Sequence, residues 1–145
     1  WRLTARYDLT DDVNLYANYA RGRRPEVLSA RSPSQPLSQP TFTEVAAEEV
    51  DSFEVGAKGR TAGGVLTWDA AAYSYTYENF QTTIQEGTRF IVTNAGEASA
   101  YGFEGQATWA ATDSLDLFAT YGYNRGRFDN GIFEGNSFRL SPDHK

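Results

Sequence analysis

Apolar and polar residues alternate with a period of two through most of this sequence. In the first segment, residues 1–9, the polar residues separate Trp1, Leu3, Ala5, Tyr7 and Leu9. A β-strand places successive side chains on opposite faces, so this strict alternation predicts strands and argues against helices. The alternation returns in segments 13–21, 50–60, 65–76, 101–111 and 115–124. The sequence therefore predicts an all-β fold with six full strands, and with a seventh that starts at 138–140.

The connections between these segments are alternately short and long. Short polar turns lie near 10–12, 61–64 and 112–114, and longer connections lie near 22–48, 84–89 and 126–137. A sheet with short turns at one end and long loops at the other has unlike surroundings at its two ends, as outer-membrane β-barrels do. We therefore predict an antiparallel up-and-down meander from a transmembrane β-barrel, with periplasmic turns and extracellular loops.

Composition excludes several classes of function. The net charge of −6 disfavours a nucleic-acid partner, which requires a clustered basic face. The sequence has no cysteine and a single histidine, His144, so thiolate sites are excluded and any Ser-His-Asp triad must use that residue. No spacing singles out a pair of carboxylates for glycoside hydrolysis. We predict no enzyme, no catalytic residue, no metal site and no cofactor.

The sequence is predicted to be a segment of a longer protein. It contains no methionine, begins within a predicted strand and ends shortly after Pro142. Single-chain outer-membrane barrels begin at eight strands, and an open sheet edge is not tolerated in lipid. Further strands are therefore required to close a barrel.

Three segments resemble, in the same order, sequences of TonB-dependent outer-membrane receptors. Residues 13–26 resemble the pattern Y-x-x-Y-x-R-G-F-R-x-P, although Arg23 stands where the family often has an aromatic residue. Residues 49–59 resemble E-x-x-x-x-Y-E-x-G-x-K, and residues 94–104 are similar to N-A-G-x-A-x-x-x-G-x-E. The resemblance implies a 22-stranded barrel with an N-terminal plug domain, which is absent from this segment. Such receptors import scarce ligands, most commonly ferric siderophores, with energy from an inner-membrane complex.

Two groups of residues are candidates for contact with a ligand. The first could attract an anionic siderophore complex by charge and bidentate hydrogen bonds, and comprises Arg21, Arg23 and Arg24. Pairing with lipopolysaccharide phosphates or with neighbouring carboxylates is the alternative for these arginines. The second group could form an aromatic vestibule for a ring-bearing ligand, and comprises Tyr73, Tyr75, Tyr77 and Phe80. Girdle or loop packing is the alternative for these rings.

Other polar residues are predicted to face the lumen of the barrel and to contact the plug. They are Asp69, Glu104, Gln106 and Thr108. The partners implied by the resemblance are outer-membrane lipid, lipopolysaccharide, a siderophore or similar small ligand, the plug of the full-length chain and, through it, TonB. The implied location is the outer membrane of a Gram-negative cell.

Two other classes of protein remain open from the sequence. A soluble all-β carbohydrate-binding or adhesion module would bury Phe103, Trp109, Leu115 and Leu117 in a core, and the proline-rich stretch 22–48 would be a linker. A passive porin-type channel would share the barrel wall and lack a plug.

Overall fold

The computed structural model describes residues 1–31, 39–87 and 89–138 of the 145. The described residues form strands and one 3₁₀ turn, Ala62–Gly64. The strands are β1 (Arg2–Thr10), β2 (Val13–Arg24), β3 (Val27–Arg31), β4 (Thr41–Val45), β5 (Glu48–Thr61), β6 (Leu66–Glu78), β7 (Gln81–Glu86), β8 (Arg89–Asn94), β9 (Ala98–Thr112) and β10 (Leu115–Phe128). Among the described residues, no helix is long and apolar enough to cross a bilayer.

Six of these strands form one antiparallel sheet in the order β1-β2-β5-β6-β9-β10. Strands that are adjacent in this sheet are also consecutive along the chain, apart from the hairpins β3–β4 and β7–β8, which form separate two-stranded sheets within the connections. The predicted antiparallel meander is therefore confirmed. The sheet is open between β1 and β10, so the barrel is not closed within this chain.

The register sorts the residues of the sheet into two chemically different faces, because residues opposite each other on neighbouring strands share a face. We call them the apolar face and the polar face. The apolar face includes Leu3, Leu15, Ala17, Val55, Ala57, Ala70, Ala72, Phe103, Trp109 and Leu117. The polar face includes Asn18, Glu54, Lys58, Asp69, Glu104, Gln106 and Asn124.

On β6, in the middle of the sheet, the apolar face is the more exposed of the two, which reverses the arrangement of a water-soluble sheet. Along β6, Ala70 and Ala72 on the apolar face are exposed, whereas Ala71 on the polar face is buried. The large side chains that a soluble module would bury are all open, with exposed fractions of 48% for Phe103, 51% for Trp109, 49% for Leu115 and 46% for Leu117. The structure therefore does not support the soluble-module alternative.

The short connections lie at one end of the sheet. Two of them use the same local device: the Asp12 N–H donates to Thr10 Oγ1 at 3.2 Å, and the Ser114 N–H donates to Thr112 Oγ1 at 3.3 Å. The third, between β5 and β6, requires glycine, because Gly63 and Gly64 have φ of 70° and 95°.

Three long connections lie at the other end, and we number them in chain order: the first is 25–47, the second 79–97 and the third 129–138. The second contains the hairpin β7–β8, which keeps the register of β6 and β9 but bends where Asn79 (φ 53°) and Gly96 (φ 101°) have positive φ. Most of the buried apolar residues lie at this end of the sheet: Val45, Ile91, Ala95, Ala98 and Ala100.

The structure corrects the predicted extent of the first long connection. The sequence predicts an irregular stretch over 22–48, but β2 continues to Arg24, β5 starts at Glu48, and β3 pairs with β4 inside the connection. No proline lies inside β3 or β4, since Pro25 precedes the hairpin and Pro40 stands just before β4, so both strands keep their backbone N–H donors. The proline-rich middle, with Pro33 and Pro36, lies outside the described residues. Of the predicted seventh strand, Phe138 is not in a strand, and 139–140 also lie outside them.

If the apolar face contacts lipid, a charge placed on it destabilises the protein far more than the same charge on the polar face. Ala119 and Thr120 are exposed neighbours on opposite faces of β10. Ala119→Arg is expected to lower the free energy of unfolding by about 2–4 kcal/mol if it lies near the bilayer midplane, and Thr120→Arg by much less. Denaturant titration of the full-length protein in phospholipid vesicles measures both losses. Equal losses would contradict lipid contact.

Candidate ligand-binding surface

The polar face forms a concave wall built from neighbouring strands. All four predicted lumen-facing residues lie on this face: Asp69, Glu104, Gln106 and Thr108. Gln106 Nε2 donates to Asp69 Oδ2 at 2.5 Å, and Asn18 Nδ2 donates to Glu54 Oε1 at 3.1 Å. An open concavity of about 910 Å³ is lined by Lys58, Asp69, Gln106 and Thr108 among others, and a second of about 310 Å³ includes Glu104. The wall therefore offers hydrogen-bonding groups to whatever occupies the space it encloses.

Tyrosine rings of the wall lie against glycines of the neighbouring strand. The Tyr16 ring covers Gly56, and the Tyr73 ring covers Gly102, so that a β-carbon at either glycine would overlap the ring. Lys58 Nζ lies 5.6 Å from the centre of the Tyr16 ring, within range of a cation–π interaction. Glycine therefore allows the rings to lie flat on the sheet and fixes their positions.

Five aromatic rings pack together where the polar face meets the long connections. We call them the aromatic cluster: Tyr77, Phe80, Phe128, Phe133 and Phe138. Phe80 is central, with ring centroids 5.4 Å from Tyr77, 5.4 Å from Phe128 and 5.8 Å from Phe138. Phe138 covers Gly126 of β10 and so lies on the polar face.

The predicted vestibule is thus divided between two groups of rings. Tyr73 and Tyr75 form a pair at 5.4 Å on β6, whereas Tyr77 and Phe80 belong to the aromatic cluster. Phe128, Phe133 and Phe138 were not among the predicted site residues. Their signal in the sequence is three phenylalanines within eleven residues, two in the predicted loop 126–137 and one at the start of the predicted seventh strand, a density that favours packing over free exposure to water.

The three predicted arginines are separated by the alternation of β2. Arg21 and Arg23 extend the apolar face beyond Tyr19, and Arg24 lies on the polar-face side, opposite Glu48. Arg21 donates from Nε and Nη2 to the two Asp51 carboxylate oxygens, at 2.8 and 2.5 Å. Arg23 pairs with Glu26 at 3.0 Å and lies 3.9 Å from Glu49.

The Arg21–Asp51 pair lies past the last aromatic row of the apolar face, formed by Tyr19 and Phe53. The Tyr19 hydroxyl also donates to Asp51, at 2.6 Å. The hydrogen bonds from Arg21 and then from Tyr19 lower the pKa of Asp51 to about 2. Asp51 is therefore ionised throughout the physiological range, and the charge of Arg21 is balanced within the protein.

Within the described part of the chain, no group of three or more His, Cys, Asp or Glu side chains is arranged to hold a metal ion. His144 lies outside that part. The surface is built instead from aromatic rings, amides and carboxylates, which suit the non-covalent binding of a ligand.

The complete sequence, residues 1–145, matches the family model of TonB dependent receptor-like β-barrels. It is 25% identical over 145 residues to the ferrioxamine receptor of Yersinia enterocolitica and 28% identical over 144 residues to the pesticin receptor of Yersinia pestis. These alignments cover 99% and 97% of this chain, but 19% and 20% of the two receptors. The chain thus spans about a fifth of the length of these relatives.

Solved structures show the same architecture. The ferric yersiniabactin uptake receptor of Yersinia pestis superimposes with a TM-score of 0.76 at 26% identity, over 99% of this chain and 21% of the receptor. The ferric-catecholate import receptor of E. coli K12 gives a TM-score of 0.69 at 21% identity, again over 99% of this chain and 21% of that one. The second likeness concerns the fold alone.

Gly102 is expected to be required for the position of Tyr73. In Gly102→Ala the new methyl would overlap the Tyr123 carbonyl oxygen and lie 2.6 Å from the Tyr73 hydroxyl oxygen, which donates to Asn124 Oδ1 at 3.3 Å. A loss of about 1–3 kcal/mol in the free energy of unfolding is expected from this overpacking. Gly105→Ala is the control on the same strand, because its methyl meets no atom closer than 3.5 Å. Denaturant titration compares them, and equal losses would contradict the assignment.

Proposed function

The chain belongs to the family of TonB-dependent receptor β-barrels, and from that membership we propose that it forms part of the wall of an outer-membrane receptor for ferric siderophores. The family consists of receptors and transporters rather than enzymes. The two relatives and the more similar of the two structural neighbours are named for ferrioxamine, pesticin and yersiniabactin. Two of these three names denote siderophores, which supports a ferric complex as the ligand.

The observation that carries the proposal is the exposure of the two faces. A sheet that leaves Phe103, Trp109 and Leu117 open on one continuous apolar face is stable only if lipid covers that face. The polar face then lines a lumen. That lumen would hold the plug beside Asp69, Glu104, Gln106 and Thr108, and energy delivered through TonB would move the plug.

At the long-connection end, the aromatic cluster and Tyr75 are proposed to contact the ligand. Their rings lie on the polar face, and ring stacking is worth about 0.5–1.5 kcal/mol beyond the burial of area. Arg24 lies on the same side and can supply hydrogen bonds to the chelate. This part of the mouth is therefore proposed to bind the ligand through apolar surface more than through charge.

Arg21 and Arg23 are proposed to serve the outer rim of the barrel instead. They lie on the apolar-face side, just past the aromatic row that would mark the edge of the hydrocarbon. Their carboxylate partners Asp51, Glu26 and Glu49 neutralise them locally. Lipopolysaccharide phosphates are the charged groups expected at that level, whereas a ligand in the lumen lies on the other side of the sheet.

Uptake by the full-length receptor tests the proposal. Iron-starved cells that lack their own siderophore receptors would express it and receive radio-iron complexes of ferrioxamine, yersiniabactin or a catecholate in turn. We expect accumulation of at least one complex, and loss of that accumulation in a strain without TonB. Uptake that persists without TonB would instead indicate a passive channel, and no uptake of any complex would contradict the siderophore assignment.

Tyr75→Ala is expected to weaken binding of the transported complex about two- to tenfold, because it removes one stacking surface from the polar face. Tyr101→Ala is the matched control, since it removes a ring from the apolar face of the neighbouring strand. Equilibrium binding to the purified full-length receptor gives both dissociation constants. A larger effect of Tyr101→Ala would place the ligand on the wrong side of the sheet for this proposal.

A further inference from the structure

The three long connections meet at one short segment, residues 94–97, which we call the junction. It starts at the last residue of β8 and ends just before β9, so it belongs to the second connection. Ala95, at its centre, has no exposed surface. The Phe80 N–H donates to the Gly96 carbonyl at 2.8 Å and the Ala95 N–H donates to the Phe80 carbonyl at 2.7 Å, which ties the junction to the start of its own hairpin.

The first connection is held at the junction by one side-chain amide. Asn94 Oδ1 accepts the Ala46 N–H at 2.8 Å, and Asn94 Nδ2 donates to the Ala46 carbonyl at 3.0 Å. The same Nδ2 donates to the Asn79 carbonyl at 2.7 Å. The Asn94 side chain therefore bonds both the backbone N–H and the backbone carbonyl of Ala46, 48 positions away, and also the carbonyl of Asn79 at the start of the second connection.

A second amide, directly opposite Asn94 in the β7–β8 register, strengthens this attachment. Gln81 Nε2 donates to the Pro25 carbonyl at 3.0 Å and to the Ala46 carbonyl at 2.9 Å. Gln81 is only 4% exposed. Because Pro25 and Ala46 lie at the two ends of the first connection, the two amides together hold both of its ends against the hairpin.

The third connection is attached to the other end of the junction. Asn130 Oδ1 accepts the Glu97 N–H at 2.7 Å, and the Asp129 N–H donates to the Glu97 carbonyl at 2.9 Å. Gly131 lies so close to the junction that a β-carbon there would overlap the Ala95 carbonyl oxygen. The approach of these two backbones leaves no room for any side chain at Gly131.

We infer that the junction makes the three long connections move as one body, and that Asn94 and Asn130 are positioning residues for ligand binding. The second part rests on the proposed function. The aromatic cluster takes Phe80 from the second connection and Phe133 and Phe138 from the third, so its shape depends on how the two connections are held together. The hairpin β7–β8 then cannot close over a ligand alone, because its hydrogen bonds carry the first and third connections with it.

Hydrogen–deuterium exchange of the ligand-free full-length receptor tests the first attachment. Asn94→Ala removes the amide that holds Ala46, and we expect exchange of the 25–47 backbone to accelerate about tenfold or more. Gln85→Ala is the matched control, because Gln85 is an amide of the same hairpin whose Nε2 donates locally, to the Gly87 carbonyl at 3.0 Å. Exchange in 25–47 that is unchanged by Asn94→Ala, or changed equally by Gln85→Ala, would overturn the inference.

A pair of glycines in the third connection tests the other attachment. Gly131 and Gly135 have nearly the same φ, 87° and 81°, so alanine costs similar backbone strain at both positions. At Gly135 the new methyl meets no atom within 4 Å, whereas at Gly131 it collides with the junction. We expect the Glu97 and Asp129 amides to exchange faster in Gly131→Ala than in Gly135→Ala. Equal exchange in the two variants would overturn the attachment.

Binding of radio-iron ferrioxamine, or of whichever complex the uptake experiment identifies, tests the positioning role. The apparent dissociation constant equals the intrinsic one divided by the fraction of receptors whose connections are arranged to bind the ligand. Asn94→Ala or Asn130→Ala lowers that fraction, and we expect the apparent dissociation constant to rise about fivefold. Faster exchange with an unchanged dissociation constant would overturn the positioning role alone. If no ferric complex binds the unmodified receptor, the proposed function fails, while the exchange data still decide whether the junction couples the connections.

Discussion

The register of backbone hydrogen bonds across the six-stranded sheet is the constraint on which the rest of the structure depends. Side chains alternate with a period of two, so a shift of one residue in any strand would move its apolar set to the opposite face. The uninterrupted pairing from β2 to β9 keeps Leu15, Ala57 and Ala70 in one row. A continuous apolar surface on one side, and a lumen on the other, follow directly from that pairing.

Glycine and aromatic residues fix the finer geometry of the wall. One arrangement recurs on the polar face: an aromatic ring packs in the space that glycine leaves open because it has no side chain. The three examples are Tyr16 over Gly56, Tyr73 over Gly102 and Phe138 over Gly126. Such pairs hold large side chains flat, which leaves the space in front of the wall free. The same close approach, made by backbone instead of a ring, brings Gly131 against the junction and orders the long connections.

Charge is arranged separately from this aromatic surface. The alternation of β2 directs Arg21 and Arg23 away from the lumen, where Asp51, Glu49 and Glu26 balance them. A cluster of arginines in the sequence therefore does not become a cluster of positive charge at the mouth. At this end of the sheet the polar-face side carries rings, amides, Arg24 and Glu48, and the apolar-face side carries a row of ion pairs just beyond the apolar band.

The sequence by itself determined the six strands of the large sheet, their alternation, the face of each wall residue and the uneven lengths of the connections, because these follow from local periodicity and turn chemistry. The register places Asp69, Glu104, Gln106 and Thr108 together on the polar face. Only the tertiary structure decided what the arginines pair with, that Phe128, Phe133 and Phe138 join Phe80, and that Asn94 bonds to Ala46. These contacts join residues far apart in the chain, through side-chain hydrogen bonds and ring packing that leave no periodic trace. The hairpin β3–β4 was also decided only by the structure, because the prolines around it indicated an irregular connection although none of them lies within its two strands.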